Sequence, residues 1–250
     1  MKDSPNRVAR LTSSKIYPLT VSGRGLYGFG AAAITYIKER IAEFELGRGV
    51  EPVIFKREML WGKLWEPYVN MILGFEYEMI IDKTTVHQDY PFWSGSQDFN
   101  INIDGKGIAE LKCYQLKNFH EYSRCLMQKN IDVLKKNFPK EYWQIVSNSC
   151  INGTKYGEAI AFMPTEEMLL EMCDKLENTD YIVKELKDDE FKYKFVWDSD
   201  LLDLPFIPKH SDFPNMTKFR FEVPQSDKDF LTERVEKAIL LIENDEVLFS

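Results

Sequence analysis

Apolar positions recur at helical spacing over residues 31–46 and again over 57–73, where Leu60, Leu64, Tyr68 and Met71 fall on one stripe. Two amphipathic helices are predicted there, with a kink or boundary in the second because Glu66 directly precedes Pro67. The period then drops to two. Residues 75–81 and 85–92 read as strands, and two short alternating runs flank Asp104-Gly105, a dipeptide that favours a hairpin. Phe99, Ile101 and Ile103 share one face of this hairpin, and Asp98, Asn100 and Asn102 the other. On the returning strand Ala109 and Leu111 are on the apolar side, with Glu110 and Lys112 opposite them.

Helical spacing resumes over 118–138, read as one long helix rich in Lys and Arg, and over 139–149, where Pro139 suits a first turn. Residues 158–163 form a further strand. An acidic helix at 166–176, a charged run near 187–194 and a loop interrupted by Pro205, Pro208 and Pro214 make up an insertion or flap over about 165–224. A closing helix at about 226–244 aligns Leu231, Val235, Ala238, Ile239 and Ile242. The pattern predicts one domain spanning residues 1–250, with its core in 1–164 and a mainly antiparallel sheet of about four strands.

The hairpin carries the first candidate chemistry. Folding about Asp104 sets Asp98 opposite Glu110, where cross-strand Cβ atoms are about 5 Å apart. Two carboxylates that close repel unless something compensates, and a hard divalent cation is the common solution. From these residues alone, a magnesium site beside Lys112 and an exposed hairpin with ordinary surface charges fit equally well.

Three other stretches bear on function. Residues 7–14, Arg-Val-Ala-Arg-Leu-Thr-Ser-Ser, combine two guanidinium groups with three hydroxyls, which suits either a phosphate or a helix cap. Gly23, Gly25 and Gly28 match the spacing of a dinucleotide-binding loop, but Pro18 interrupts the preceding segment and no βαβ unit follows, so a flexible loop is expected. Gln144 sits between aromatic and apolar neighbours, a half-buried amide that needs partners.

Composition removes several classes. No stretch approaches the ~20 apolar residues of a membrane span, and the N-terminal residues lack the apolar core of a signal peptide, so a cytoplasmic protein is expected. Cys113, Cys125, Cys150 and Cys173 are widely spaced, as are His87, His120 and His210; reduced thiols and no zinc site are expected. The net charge of −8 argues against coating nucleic acid by bulk attraction. Yet residues 1–66 carry 11 Lys and Arg against 7 Asp and Glu, a local +4 that leaves −12 for the remainder. A basic groove on an acidic body is compatible with DNA.

Asp98 followed by Glu110-Leu111-Lys112 on a hairpin resembles the PD-(D/E)xK nuclease core. The order of the surrounding motifs is similar to the lambda exonuclease and YqaJ viral recombinase branch of that superfamily. These motifs are Arg7 with Leu11-Thr12-Ser13-Ser14, Tyr36 to Glu43, Trp61-Gly62-Lys63 with Glu66, Ser96-Gln97-Asp98, Glu110-Leu111-Lys112-Cys113, and Tyr142 with Gln144. The resemblance implies a restriction-endonuclease-like α/β fold of the α+β type, with a mixed central sheet of about four to five strands flanked by helices.

It also implies roles. Asp98, Glu110 and the Leu111 carbonyl would hold Mg²⁺, with Mn²⁺ able to substitute, and Glu66 a second metal or its water. Lys112 would position and help deprotonate the attacking water, and Gln144 would orient it. Arg7, Arg10, Thr12 and Ser14 would grip a phosphate, in this branch the 5′-phosphate of a duplex end. The implied activity is Mg²⁺-dependent, 5′-to-3′ exonucleolytic hydrolysis of linear duplex DNA in phage-type recombination or end processing. The implied partners are duplex ends, a single-strand annealing protein and further copies of the chain in a ring; the implied setting is a bacterial host cell and the implied origin a phage or prophage. The alternatives are a structure- or site-specific endonuclease of the same fold and a non-catalytic DNA-binding or assembly protein derived from it. The chain departs from the pattern at Val146, where relatives carry a second glutamine, and at Gly95-Ser96-Gln97 before the aspartate.

Overall fold

The computed structural model describes residues 7–50, 57–81, 83–102, 106–178, 193–197, 199–244 and 248. The chain opens with a short strand, β1 (Leu11–Thr12), a 3-10 turn (Ser13–Lys15) and a short helix, α1 (Tyr17–Thr20). Helices α2 (Ala31–Leu46) and α3 (Arg57–Leu73) follow. α3 runs on through Pro67, because its buried stripe of Leu60, Trp61, Leu64, Trp65 and Val69 holds it against the sheet on both sides of the missing hydrogen bond.

Next come β2 (Tyr77–Met79), β3 (Thr85–Val86), β4 (Trp93–Gly95), β5 (Phe99–Ile101) and β6 (Gly107–Lys112). They lead into α4 (Leu116–Met127), α5 (Ile131–Asn137), α6 (Pro139–Asn152), β7 (Tyr156–Phe162), α7 (Glu166–Asn178) and α8 (Lys194–Trp197). The chain closes with β8 (Met216–Glu222) and α9 (Gln225–Glu243).

The central sheet has the order β2-β5-β6-β7-β8. β6 and β7 are parallel and the other pairs antiparallel, so the sheet is mixed, with five strands. One face, carrying Phe99, Ile101, Ala109, Leu111, Ile160 and Phe162, packs against α3 and against Leu169 and Met172 of α7. The other, carrying Ile108, Ala159, Ala161, Phe219 and Phe221, packs into a second core with α4, α6 and α9. A smaller sheet, β1-β4-β3, lies beside α6.

Three expectations change. The single helix over 118–138 is two, because Lys129 adopts a positive φ of 48° and Asn130 caps α5, its side chain accepting the Asp132 and Val133 N–H groups. The strand expected over 85–92 is confined to Thr85–Val86, and the chain turns before β4, which joins the smaller sheet. The stretch 216–222, assigned to the insertion, is a strand of the central sheet. Its alternation of buried Thr217, Phe219 and Phe221 with outward Lys218, Arg220 and Glu222 is what a sheet strand requires. The Asp104-Gly105 turn and the charged run from 187 lie outside the described residues, apart from 193 and 194.

Strand pairing also buries an ion pair. Glu158, 2% exposed, accepts Arg220 Nε at 2.6 Å and the Tyr77 hydroxyl at 2.8 Å. Glu158→Ala removes the carboxylate paired with Arg220 and the acceptor of the Tyr77 hydroxyl, leaving Tyr77, among the described residues, only as an acceptor from Lys218 and Arg220. Because Arg220 keeps a path to water, the loss should be about 2 kcal/mol, below the 3–5 of a fully buried pair. Urea denaturation monitored by circular dichroism measures it, and an unchanged midpoint would refute a stabilising role.

Candidate active site

Phe99 pairs with Ala109, which places Asp98 across from Glu110 as the alternation predicts. The Asp98 N–H donates to the Ala109 carbonyl at 3.2 Å, and its Oδ2 accepts the Leu111 N–H at 2.7 Å. The polar side of the hairpin is solvated only in part, Asn102 being exposed and Asp98, Asn100 and Lys112 half-buried. α6 crosses it, and Glu110 is 0% exposed.

Two amides on α6 hold Glu110. Gln144 Nε2 donates to Oε2 at 2.5 Å, and Asn148 Nδ2 donates to Oε1. Lys112 Nζ donates to Gln144 Oε1 at 3.1 Å and stands 3.7 Å from Glu110 Oε2. Gln144 thus bridges the lysine and the carboxylate, and its amide orientation is set from both ends. Residues four apart share a helix face, so Gln144 and Asn148 point together. Val146, two places on, turns away into the core with 0% exposure. The position where the family pattern has a second glutamine therefore faces away from Glu110 in this chain. Asn148 was missed in the sequence; its signal is the polar position one turn after Gln144.

Burial raises the pKa of both carboxyls. That of Glu110 is pushed up to about 8 by burial first and then by the Asp98 charge, against the pull of Lys112 and Asn148. Asp98 rises for the same first reason, opposed by Lys112 and the Leu111 N–H. For Lys112, burial works downward, but the carboxylates of Glu110, Asp98, Glu141 and Glu66 outweigh it and the net direction is up. Without a bound cation, Lys112 is therefore held as the ammonium. Glu66 lies near enough for its charge to act on Lys112 and on the buried Cys113 thiol. The Tyr114 hydroxyl donates to Glu141, on the same side of α6 as Gln144.

A carboxyl whose folded pKa exceeds its unfolded value keeps a proton the unfolded chain has already lost. From about pH 4.5 towards about 8, the metal-free fold should therefore lose stability as the pH rises through the window set by Glu110. Melting temperatures in chelator should fall across that window and recover on adding Mg²⁺; a flat profile would contradict the raised pKa.

Among the described residues, no three His, Cys, Asp or Glu side chains cluster closely enough to cage a metal. Mg²⁺ does not require a cage, since it commonly binds through one or two carboxylates plus water and substrate phosphates. Asp98 and Glu110, held across one strand pair and only partly compensated by Lys112, fit that mode. Glu66 does not join them in a three-carboxylate group.

The segment of the expected phosphate grip is clamped residue by residue. Ala9 N–H donates to Glu43 Oε2 at 2.9 Å, Arg10 Nε to the Pro91 carbonyl at 2.8 Å, and Leu11 N–H to the Phe92 carbonyl at 2.7 Å. Thr12 N–H donates to the Tyr36 hydroxyl at 2.7 Å. Ser13 Oγ bonds Ser147 Oγ at 2.8 Å, next to Asn148. Thr12 is buried and engaged with Tyr36, whereas Arg7 and Ser14 are exposed at the two ends of the platform.

No family model matches the chain, and no curated protein matches it in sequence. Solved structures do. LHK-Exo, an alkaline exonuclease from Laribacter hongkongensis, aligns in its complex with dAMP at a TM-score of 0.61 and 14% identity, over 96% of this chain and 91% of that one. A phage-related exonuclease from Haemophilus somnus 129PT aligns at 0.60 and 12% identity, over 96% of each chain. The chain shares the fold of these proteins. At such identities the likeness concerns backbone architecture, and within that fold the Asp98–Glu110–Lys112 hairpin and α6 form the candidate site. No helix among the described residues is long and apolar enough to cross a membrane.

Proposed function

We propose that the chain is a Mg²⁺-dependent DNA exonuclease that hydrolyses linear duplex DNA from the 5′ end. The observation that carries this reading is Asp98, Glu110 and Lys112 gathered on one hairpin and locked by Gln144, in a chain that shares the fold of these exonucleases. Asp98, Glu110 and the Leu111 carbonyl would hold the cation, with Glu66 nearby for a second ion or its water. A bound Mg²⁺ would stabilise charge on the phosphorane and the leaving oxygen and acidify bound water.

The chain's own groups account for the rest. Lys112 donates to the attacking water or to a phosphate oxygen and takes part in the proton transfer once the carboxylate charge around it is neutralised. Gln144 fixes the direction of the Lys112 ammonium. Water forms the new P–O bond as the bond to the 3′-oxygen breaks. Arg7 and Ser14, exposed on a rigid platform, supply cationic and hydroxyl donors to a terminal phosphate, while Arg10 and Thr12 brace them. A ring of several copies, a single-strand annealing partner, a role in phage-type recombination and residence in the bacterial cytoplasm belong to the same proposal.

Incubation of linear and covalently closed duplex with Mg²⁺ tests it. Release of mononucleotides from the linear form alone, faster from 5′-phosphorylated ends, is expected. Nicking of the circle would favour the endonuclease reading. Lys112→Met should lower the rate about 10²-fold, the low end for loss of a proton-transfer group; wild-type activity in that variant would remove Lys112 from the site.

A further inference from the structure

Ser147 and Asn148 are consecutive on α6, yet they hold different parts of the chain. Ser147 Oγ accepts Trp93 Nε1 at 2.8 Å and bonds Ser13 Oγ at 2.8 Å. Asn148 Nδ2 donates to Glu110, while its Oδ1 is buried with no hydrogen-bond partner among the described residues. One turn on, the Asn152 side chain bonds the Asn148 carbonyl at 2.8 Å and Gln97 Oε1 at 3.2 Å, beside Asp98. A single helix therefore touches the Ser13 platform, the approach to Asp98, and Glu110.

These contacts meet at Gly95. A Cβ placed there would lie 2.0 Å from Asn148 Oδ1 and 2.2 Å from Ser13 Oγ. The bare α-carbon lets the platform and the helix close on each other. With its oxygen enclosed against Gly95, the Asn148 amide can present only its N–H group to Glu110.

We propose that Asn148 is a positioning residue for phosphodiester hydrolysis, and that the Ser13–Ser147 contact joins the end-gripping segment and Glu110 into one rigid unit. The inference rests on the nuclease reading above. Partners that orient a metal-binding carboxylate commonly matter nearly as much as the carboxylate. Here the partner's amide oxygen lies against Gly95 of β4, the strand that β1 and Ser13 also pack on, so a displaced platform should misalign Glu110 as well as weaken binding.

Asn148→Ala, Asn148→Ser, Asn148→Asp and Ser13→Ala test this, with kcat and KM on 5′-phosphorylated linear duplex, Mn²⁺ titration calorimetry without DNA, and thermal melting. Asn148→Ala and Asn148→Ser should lose about 10- to 100-fold in kcat and in Mn²⁺ affinity, with KM for DNA unchanged. Asn148→Asp keeps the shape but removes the donor; it should lose at least as much, whereas a space-filling role predicts retention. If it fails to fold, the Ala and Ser variants decide. Ser13→Ala should lower kcat and raise KM together. A rise in KM alone would overturn the coupling, and wild-type Mn²⁺ affinity and kcat in folded Asn148 variants would overturn the positioning role. A wild type that neither binds Mn²⁺ nor cleaves DNA would instead overturn the nuclease reading.

Discussion

Asp98→Asn is expected to cut Mg²⁺-dependent nucleotide release by about 10³-fold, the equivalent of roughly 4 kcal/mol of transition-state stabilisation. The substitution is nearly isosteric. The Asn side-chain oxygen can still accept the Leu111 N–H that Asp98 holds at 2.7 Å, so the hairpin should keep its register. What disappears is one of two carboxylates facing each other across β5 and β6. Removing it also relieves part of the repulsion that raises Glu110. The metal-free variant should therefore melt no lower than the wild type at about pH 8, while its activity collapses. This opposition separates a catalytic loss from a folding loss. Equal rates in variant and wild type would remove Asp98 from the site.

Gly95→Ala is expected to be as severe for a different reason. The new methyl carbon would sit 2.0 Å from Asn148 Oδ1, 2.2 Å from Ser13 Oγ and 2.9 Å from Ile151 Cδ1, and Asn148 and Ser13 are both buried. α6 and the platform cannot separate without breaking Ser13–Ser147 or Asn148–Glu110. Overpacking a close-packed interior costs about 1–3 kcal/mol, and this position belongs at the upper end because both nearest atoms are short, hydrogen-bonded side chains. Activity at a temperature where the variant remains folded should also fall, because relief of the clash moves Asn148. Thermal melting together with the rate on linear duplex measures both. A melting temperature and rate equal to wild type would mean that the interface opens without cost and that Asn148 is not held as described.

Legibility in the sequence followed the range of the interaction. Asp98 opposite Glu110, Phe99 and Leu111 on one side, and Lys112 beside Glu110 follow from strand alternation over about a dozen residues, and the backbone register agrees. The neighbours of Gln144 predict a half-buried amide in need of partners, and it has two, Lys112 and Glu110. Asn148 is not legible from the motif spacing, which points to Val146, although a helical face repeats at four residues. β8 was hidden by the prolines before it, even though its own residues alternate cleanly. The break between α4 and α5 depends on one asparagine cap and one positive φ at Lys129, which a run of helix-compatible residues conceals.

By itself the sequence determined the hairpin, its polar and apolar sides, and the set of carboxylates, lysine and amide available to a site. These depend on backbone geometry within a few residues. Only the tertiary structure decided that α6 lies over the polar side and buries Glu110, that Thr12 is occupied by Tyr36 while Arg7 and Ser14 remain exposed, and that Ser13, Gly95 and Asn148 meet. Those outcomes join residues at least 24 positions apart. They depend on how apolar faces pack and on which buried polar atoms can find partners once packed, a competition that no local pattern encodes.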